Sequence, residues 1–288
     1  MAPHPVRRLG TLVEPLAAAV YFAPEAHKGY VELGCVDDFW APYYASRGAC
    51  LGVTPPAVVA AAFGVFNPAH IEEQLQVAWK AAAPGQYWEA RVEGATAQLE
   101  RLLGPDPAGA ARAGELLRRI AEAAPVAGRP FFAGLSAQAW PGTLLGDLWH
   151  AADLVREHRG DTHTAAWNVA GYTAPEIMMV TELWWGLPHG LYLASRHWDD
   201  EAVAAGLTRL RAKGHVEGDP PQLTEVGLQA RVALEDATDA AEAGVLDAIT
   251  EAERDELYAI LGPFAATICA GGGYPSDPNT RVLPGVDD

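Results

Sequence analysis

The chain has 288 residues, half of them hydrophobic, and a formal net charge of −17. That length and apolar content supply one large core or two ordinary domains, which excludes a chain that stays unfolded. The charge repels a phosphate backbone over most of the surface, and the longest apolar stretches, such as residues 57–66, fall far short of the roughly 20 residues that span a bilayer.

In chain order, Arg7 and Arg8 precede an apolar run interrupted by Glu14 and Pro15, a poor secretion signal. Cys35, Cys50 and Cys269 lack metal-ligand spacing, so the expected location is cytoplasmic with reduced thiols. Tyr43, Tyr44 and Arg47, flanked by Phe39 and Trp40, suit a cation set among phenols in a pocket; a buried aromatic face with Arg47 paired to Glu25 or another carboxylate suits them equally. Thr54-Pro55-Pro56 opens a helix through Phe63, and Asn67-Pro68 opens another through Trp79, with His70 one turn in. Residues 104–130, rich in Gly, Pro and Ala around a helix from Arg112 to Ala124, read as a connector.

In the second half a helix is expected from Gly142 to His158, broken at Gly160, with Asp161 capping the next helix to Gly171. Thr173 to Glu176 is a capping box ahead of the apolar run Ile177 to Trp185. A helix from Asp199 to Lys213 carries Val203, Leu207 and Leu210 on one face, and short strands His215 to Glu217 and Gln222 to Thr224 form a wing. The expected segments are 1–104, a helical domain; 105–141, a connector; and 142–288, a winged-helix domain.

The run WDDEAVAAGLTRLRAKGHVEGDPPQLTEVGLQARVALEDATD (Trp198 to Asp239), with TEAERDELYAIL (Thr250 to Leu261) after it, resembles the MarR family of winged-helix proteins over residues 160–265. Together with VYFAPE (Val20 to Glu25), YYASRGACLG (Tyr43 to Gly52) and REHRGDTH (Arg156 to His163), it is similar to an actinobacterial helix-turn-helix family of largely unassigned function. That family often has a histidine in the phrase matching Val65 to Pro68, where this chain has Asn67. The resemblance implies a mainly α, winged helix-turn-helix fold. Phe66 to Trp79 also sits after Val53 to Phe63 much as Trp198 to Leu210 sits after Tyr172 to Leu183. Two tandem diverged winged-helix repeats around a ligand cleft are one reading of that likeness; chance similarity of alanine-rich helices is the other.

In MarR-like folds the recognition helix lies in the major groove and basic wing residues grip the backbone. Here that helix begins Asp199-Asp200-Glu201 and the wing carries Glu217 and Asp219, so DNA is not expected as the main partner. The densest chemical group is His150, Asp153, Glu157, His158, Arg159, Asp161 and His163. A turn at Gly160 would bring His158, Asp161 and His163 together as a catalytic acid–base set. The plainer readings are Asp161 as a helix cap, His158 on the last carbonyls of the preceding helix, and surface charge for the rest.

Tyr43, Arg47, His70, Arg159 and Trp184 are the expected substrate-binding residues. Trp184, Trp185, Trp198, Tyr192, Met178 and Met179 suit either a core or an adaptable wall for aromatic ligands. No phosphate loop, dinucleotide fingerprint, nucleophile elbow or Cys-x-x-Cys is present, so no cofactor is expected, with a metal or heme left open. The expected function is binding of a small hydrophobic or aromatic ligand on a repurposed winged-helix scaffold. Acid–base catalysis in specialised metabolism (a cyclase, isomerase or hydrolase) is favoured over a metal-dependent oxygenase. The alternatives are a ligand-responsive MarR-type regulator and a non-catalytic binding or resistance protein. No membrane partner is expected, and a homodimer is left open.

Overall fold

The computed structural model describes residues 4–275. Residues 1–3 and 276–288, the ends of the expected first and last segments, lie outside the described residues. The helices in chain order are α1 (Pro5–Ala18), α2 (Pro24–Glu32), α3 (Trp40–Gly48), α4 (Pro56–Phe63), α5 (Pro68–Ala81), α6 (Pro84–Leu103), α7 (Ala110–Ala123), α8 (Pro130–Ser136), α9 (Leu144–Val169), α10 (Ala174–Trp184), α11 (Leu191–Ala194), α12 (Asp200–Ala212), α13 (Glu225–Glu242) and α14 (Glu251–Ala270). Strands β1 (Val216–Glu217) and β2 (Gln222–Leu223) pair antiparallel, Val216 opposite Leu223, between α12 and α13. The fold is therefore mainly helical, with a helix-turn-helix followed by a small wing.

The punctuation that opens these helices is chemical. Proline stands in the first turn of α1, α2, α4, α5, α6, α8 and α10, where its missing N–H is not needed. Asn67, Asp199, Thr224 and Thr250 each accept a backbone N–H as N-caps, and Thr173 with Glu176 forms the expected capping box.

The expected break at Gly160 does not occur. Helix α9 runs unbroken for 26 residues, so Asp161 is not an N-cap and His158 does not meet a helix C-terminus. The helix packs against α1, α6, α7, α8 and α13. Burial on so many sides outweighs the roughly 1 kcal/mol that a mid-helix glycine costs.

Two apolar cores result. The larger holds residues from α1 to the first part of α9 together with α14; the smaller holds Trp167, Tyr172, Ile177, Met178, Met179, Val180, Leu193, Leu210, Val216 and Leu234 of the winged-helix module. Residues 105–141, expected as a connector, supply α7 and α8, whose Leu116, Leu117, Ile120 and Phe131 are buried in the larger core. In the first half, α4 and α5 make a helix pair, but among the described residues no strand pair follows it, so the expected second wing is absent there.

Candidate functional site

Between the larger core and the winged-helix module lies a cavity of about 540 Å³, in the size range of small-molecule sites. Its walls come from α1, α3 and α9 on one side and from α10, α13 and the segment after α11 on the other. Gly160 lies on the wall, so the mid-α9 glycine leaves space where a side chain would project.

The end against the larger core is closed by ion pairs. Glu157, 2% exposed, accepts hydrogen bonds from Arg47 Nε and Nη2, both at 2.9 Å, and from Arg156 Nη1 at 2.6 Å. Arg156 in turn donates to Glu14 at 2.8 Å. The Arg47 guanidinium lies over the rings of Phe63 and Phe131. Burial alone would raise the Glu157 carboxyl; Arg47 and Arg156 reverse it and bring it down to about 2. The Tyr21 hydroxyl touches Glu157, Arg91 and Arg156, and burial pushes its pKa up. Behind it, Arg91 pairs with Asp153 at 3.1 Å, both fully enclosed. In this network each guanidinium has a carboxylate.

The middle of the wall is α9 again. Asp161 lines the cavity and its Oδ2 accepts the backbone N–H of Phe132 at 3.0 Å. Burial raises this carboxyl to about 7, so it exchanges a proton near neutral pH. His163 also lines the cavity; its Nδ1 lies 3.0 Å from Thr238 Oγ1, and burial lowers it to about 4, leaving a neutral imidazole.

The end against the winged-helix module carries ion pairs as well. Arg159 pairs with Glu235 and Asp239, Arg7 with Asp236 and Asp239, and Arg231 with Glu235. Arg159 can lie across α1 because Gly10 has no Cβ: one built there would stand 2.9 Å from Arg159 Cδ. Arg196 differs from all of these. It is 8% exposed, lines the cavity, and packs between the rings of Phe66 (4.8 Å) and Tyr192 (4.3 Å). Its Nη1 donates to the Ser195 hydroxyl and carbonyl, and its Nε is buried with no hydrogen-bond partner. Among the described residues no carboxylate lies within ion-pair distance of it.

A model of a helix-turn-helix family matches residues 6–275, which is nearly the whole chain and includes both walls of the cavity. The chain belongs to this helix-turn-helix family. No curated protein and no solved structure matches it. The match covers the body as well as the wing and is not confined to the helix-turn-helix segment.

The expected site residues separate in this helix-turn-helix protein. Tyr43, Arg47, Arg159, Asp161 and His163 line the cavity. His158 does not. It is 2% exposed, stacks edge-on to Phe132 and holds the Glu242 carboxylate at 2.9 Å through Nδ1. On the continuous helix His163 points well away from the other two, and the three side chains meet different partners, His158 the Glu242 carboxylate, Asp161 the Phe132 N–H and His163 the Thr238 hydroxyl, so they do not converge. The expected convergence required the break that α9 lacks.

His70 stacks on His197, with ring centroids 3.5 Å apart, beside Trp40 and outside the cavity lining. Trp184 is partly exposed under Arg231, and its neighbour Trp185 lines the cavity instead. Among the described residues no three His, Cys, Asp or Glu side chains are grouped to hold one metal ion, and no helix is long and apolar enough to cross a membrane.

Sequence reasoning missed Arg196, Arg156, Tyr21 and the cavity role of Gly160. For Arg196 one local signal existed: Tyr192 stands four residues earlier across the short α11, the spacing at which an aromatic ring meets a following cation.

The wing face is acidic where α12 begins, with Asp200 and Glu201 in its first turn. Its basic end is exposed and makes surface contacts within the module. Lys213 lies 3.0 Å from Glu176 and donates to Gly171, Arg209 donates to Thr173, and Arg211 donates to Gly218.

Proposed function

We propose that this helix-turn-helix protein binds a small aromatic molecule in the cavity between its helical body and its winged-helix module, and moves a proton on it through Asp161. The observation that carries this reading is a carboxyl at the wall of a 540 Å³ cavity, held by burial at a pKa of about 7. A group poised near neutral pH gives and takes protons with the least mismatch. Aromatic rings of Tyr43, Phe63, Phe66, Phe131, Trp167 and Tyr192 lining the same cavity suit a planar apolar ligand. The reaction class that fits is proton transfer, as in isomerisation, cyclisation or hydrolysis, with no cofactor required.

The test is a melting-shift screen of phenols, naphthols and polycyclic aromatic compounds, followed by assay of the hits for turnover. Asp161→Asn is expected to lower turnover about 10²–10⁴-fold with the helical spectrum intact. Full activity in that variant, or ligands that bind equally well after Gly160→Leu narrows the cavity, overturns the reading.

Family membership supports a second reading, a ligand-responsive DNA-binding regulator, since the cavity lies against the module that carries α12. Against it stands the acidic start of α12. A gel shift with the gene's own upstream region at physiological salt separates the two. No sequence-selective shift is expected.

A further inference from the structure

Arg196 is a charged side chain enclosed by protein, facing a cavity, with no counter-charge among the described residues. An isolated buried guanidinium is unfavourable, and proteins keep one only where something compensates it. The rings of Phe66 and Tyr192 supply part of that compensation through their π faces, and Ser195 supplies hydrogen-bond acceptors. Nε remains unmatched. The neighbouring imidazoles do not help: His70 and His197 are both held below their ordinary values, first by burial, and for His197 also by the positive charge of Arg196. The backbone fixes the position. Asn67 N–H donates to the Arg196 carbonyl and the Asn67 side-chain amide donates to the His197 carbonyl, 3.0 and 2.8 Å respectively, while Trp198 Nε1 donates to Val65. His197 sits at φ 59°, a left-handed conformation that costs a non-glycine residue energy and persists only where surrounding contacts impose it. The guanidinium is thus clamped at the cavity wall by the loop between α4 and α5.

We propose that Arg196 is the anion-binding residue of the cavity and that the ligand is an aromatic acid carrying one negative charge, of the carboxylate or sulfonate type. Its acidic group sits on the Arg196 guanidinium, and its ring lies along the aromatic wall toward Asp161. A single charge is called for because the other arginines on the wall, Arg7, Arg47, Arg156, Arg159 and Arg231, already hold carboxylates. A planar guanidinium offers two parallel N–H donors to such a group. This inference rests on the cavity being a ligand site, and it adds the charge of the ligand and the residue that recognises it.

The experiment uses two fluorescent probes with one ring framework, 8-anilinonaphthalene-1-sulfonate, which is anionic, and N-phenyl-1-naphthylamine, which is neutral. Both are titrated into the full-length wild type, Arg196→Met, Arg196→Lys and Gly160→Leu, with 2-naphthoate as a competitor. The expected result is that Arg196→Met weakens the sulfonate by about tenfold or more and leaves the neutral probe within about threefold, while Arg196→Lys falls between. Retained binding of the neutral probe shows that the variant's cavity is folded. Wild type is expected to release the sulfonate probe to 2-naphthoate. Equal effects of Arg196→Met on the two probes, or no effect on either, overturn the anion subsite alone, provided that Gly160→Leu weakens both. If neither probe binds wild type saturably, or if Gly160→Leu leaves both unchanged, the cavity is not the ligand site and both proposals fall.

Discussion

The two ends of the cavity differ in one arginine. Against the larger core, Arg47, Arg91 and Arg156 are matched by Glu157, Asp153 and Glu14, and their geometry is fixed by bidentate contacts and ring stacking. Against the winged-helix module, Arg7, Arg159 and Arg231 are paired in the same way, but Arg196 has rings and a hydroxyl and, among the described residues, no carboxylate. A buried charge that is paired holds a fold in one arrangement; a buried charge left unpaired raises the energy of the empty protein and leaves an interaction for a ligand to complete. The difference teaches that arginines on one wall cannot be assigned a role by position alone. What each guanidinium touches decides it.

The sharpest break of this comparison is at the paired end. Glu157→Gln leaves Arg47 and Arg156 enclosed without their shared carboxylate, and stability to denaturant is expected to fall by about 3–5 kcal/mol. Because the Glu157 carboxyl is held down near 2, below its unfolded value of about 4.3, its stabilisation is present above that value and is lost as pH falls toward 2. Wild type therefore loses stability over that acid window, and the Gln variant shows a shallower loss there. A stability near wild type would mean that the network is not a structural closure.

Asp161 titrates with the opposite sign. Its folded pKa of about 7 lies above an unfolded value of about 3.9, so its contribution is fully present below about 3.9 and is lost as pH rises through 7. Asp161→Asn keeps an acceptor for the Phe132 N–H and removes the charge. The variant is expected to be more stable than wild type at pH 8 by an amount on the order of a few kcal/mol, with the gap closing as pH falls toward 4. Denaturant midpoints at pH 4.5, 6 and 8 measure it, and a gap that is flat with pH would remove Asp161 as a group that titrates near neutrality.

At the unpaired end a smaller effect is expected. Arg196→Met exchanges two cation–π contacts for relief of an uncompensated charge, and stability without ligand is expected to stay within about 1 kcal/mol of wild type. A loss like that at Glu157 would make Arg196 a structural cation and erase the contrast between the two ends.

Much of the fold was legible because helix punctuation is local. Asn67, Thr173, Asp199 and the wing at 216–223 stand where proline, capping side chains and turn residues place them. The site was legible only in part. Arg47, Arg159, Asp161 and His163 reach the cavity, but the pairing of Arg47 with Glu157 across 110 residues carries no local trace. Reading Gly160 as a break was reasonable from its neighbours and failed because tertiary packing along α9 overrode a local preference. That one error produced the second: with no break, His158 points to Glu242 rather than to the cavity.

Gly160 also gives the smallest and most direct measurement of the wall that joins the two ends. In a continuous α9, a Cβ at this position would approach only Glu157 Oε2, at an ordinary 3.5 Å, and the backbone is already helical. Gly160→Ala then removes the conformational freedom that glycine has in the unfolded chain without a steric cost, and is expected to stabilise by about 0.5–1 kcal/mol. If the chain instead turned at 160, alanine would be forced into a conformation it resists, and the sign would reverse. The same methyl adds little bulk to a 540 Å³ space, so binding of an aromatic probe should change by less than about threefold, whereas leucine at this position intrudes further and weakens it more. Stabilisation by alanine together with weaker binding in the leucine variant is the pattern that a continuous helix bordering an open cavity requires. Destabilisation by alanine would restore the break, and with it the convergence of His158, Asp161 and His163.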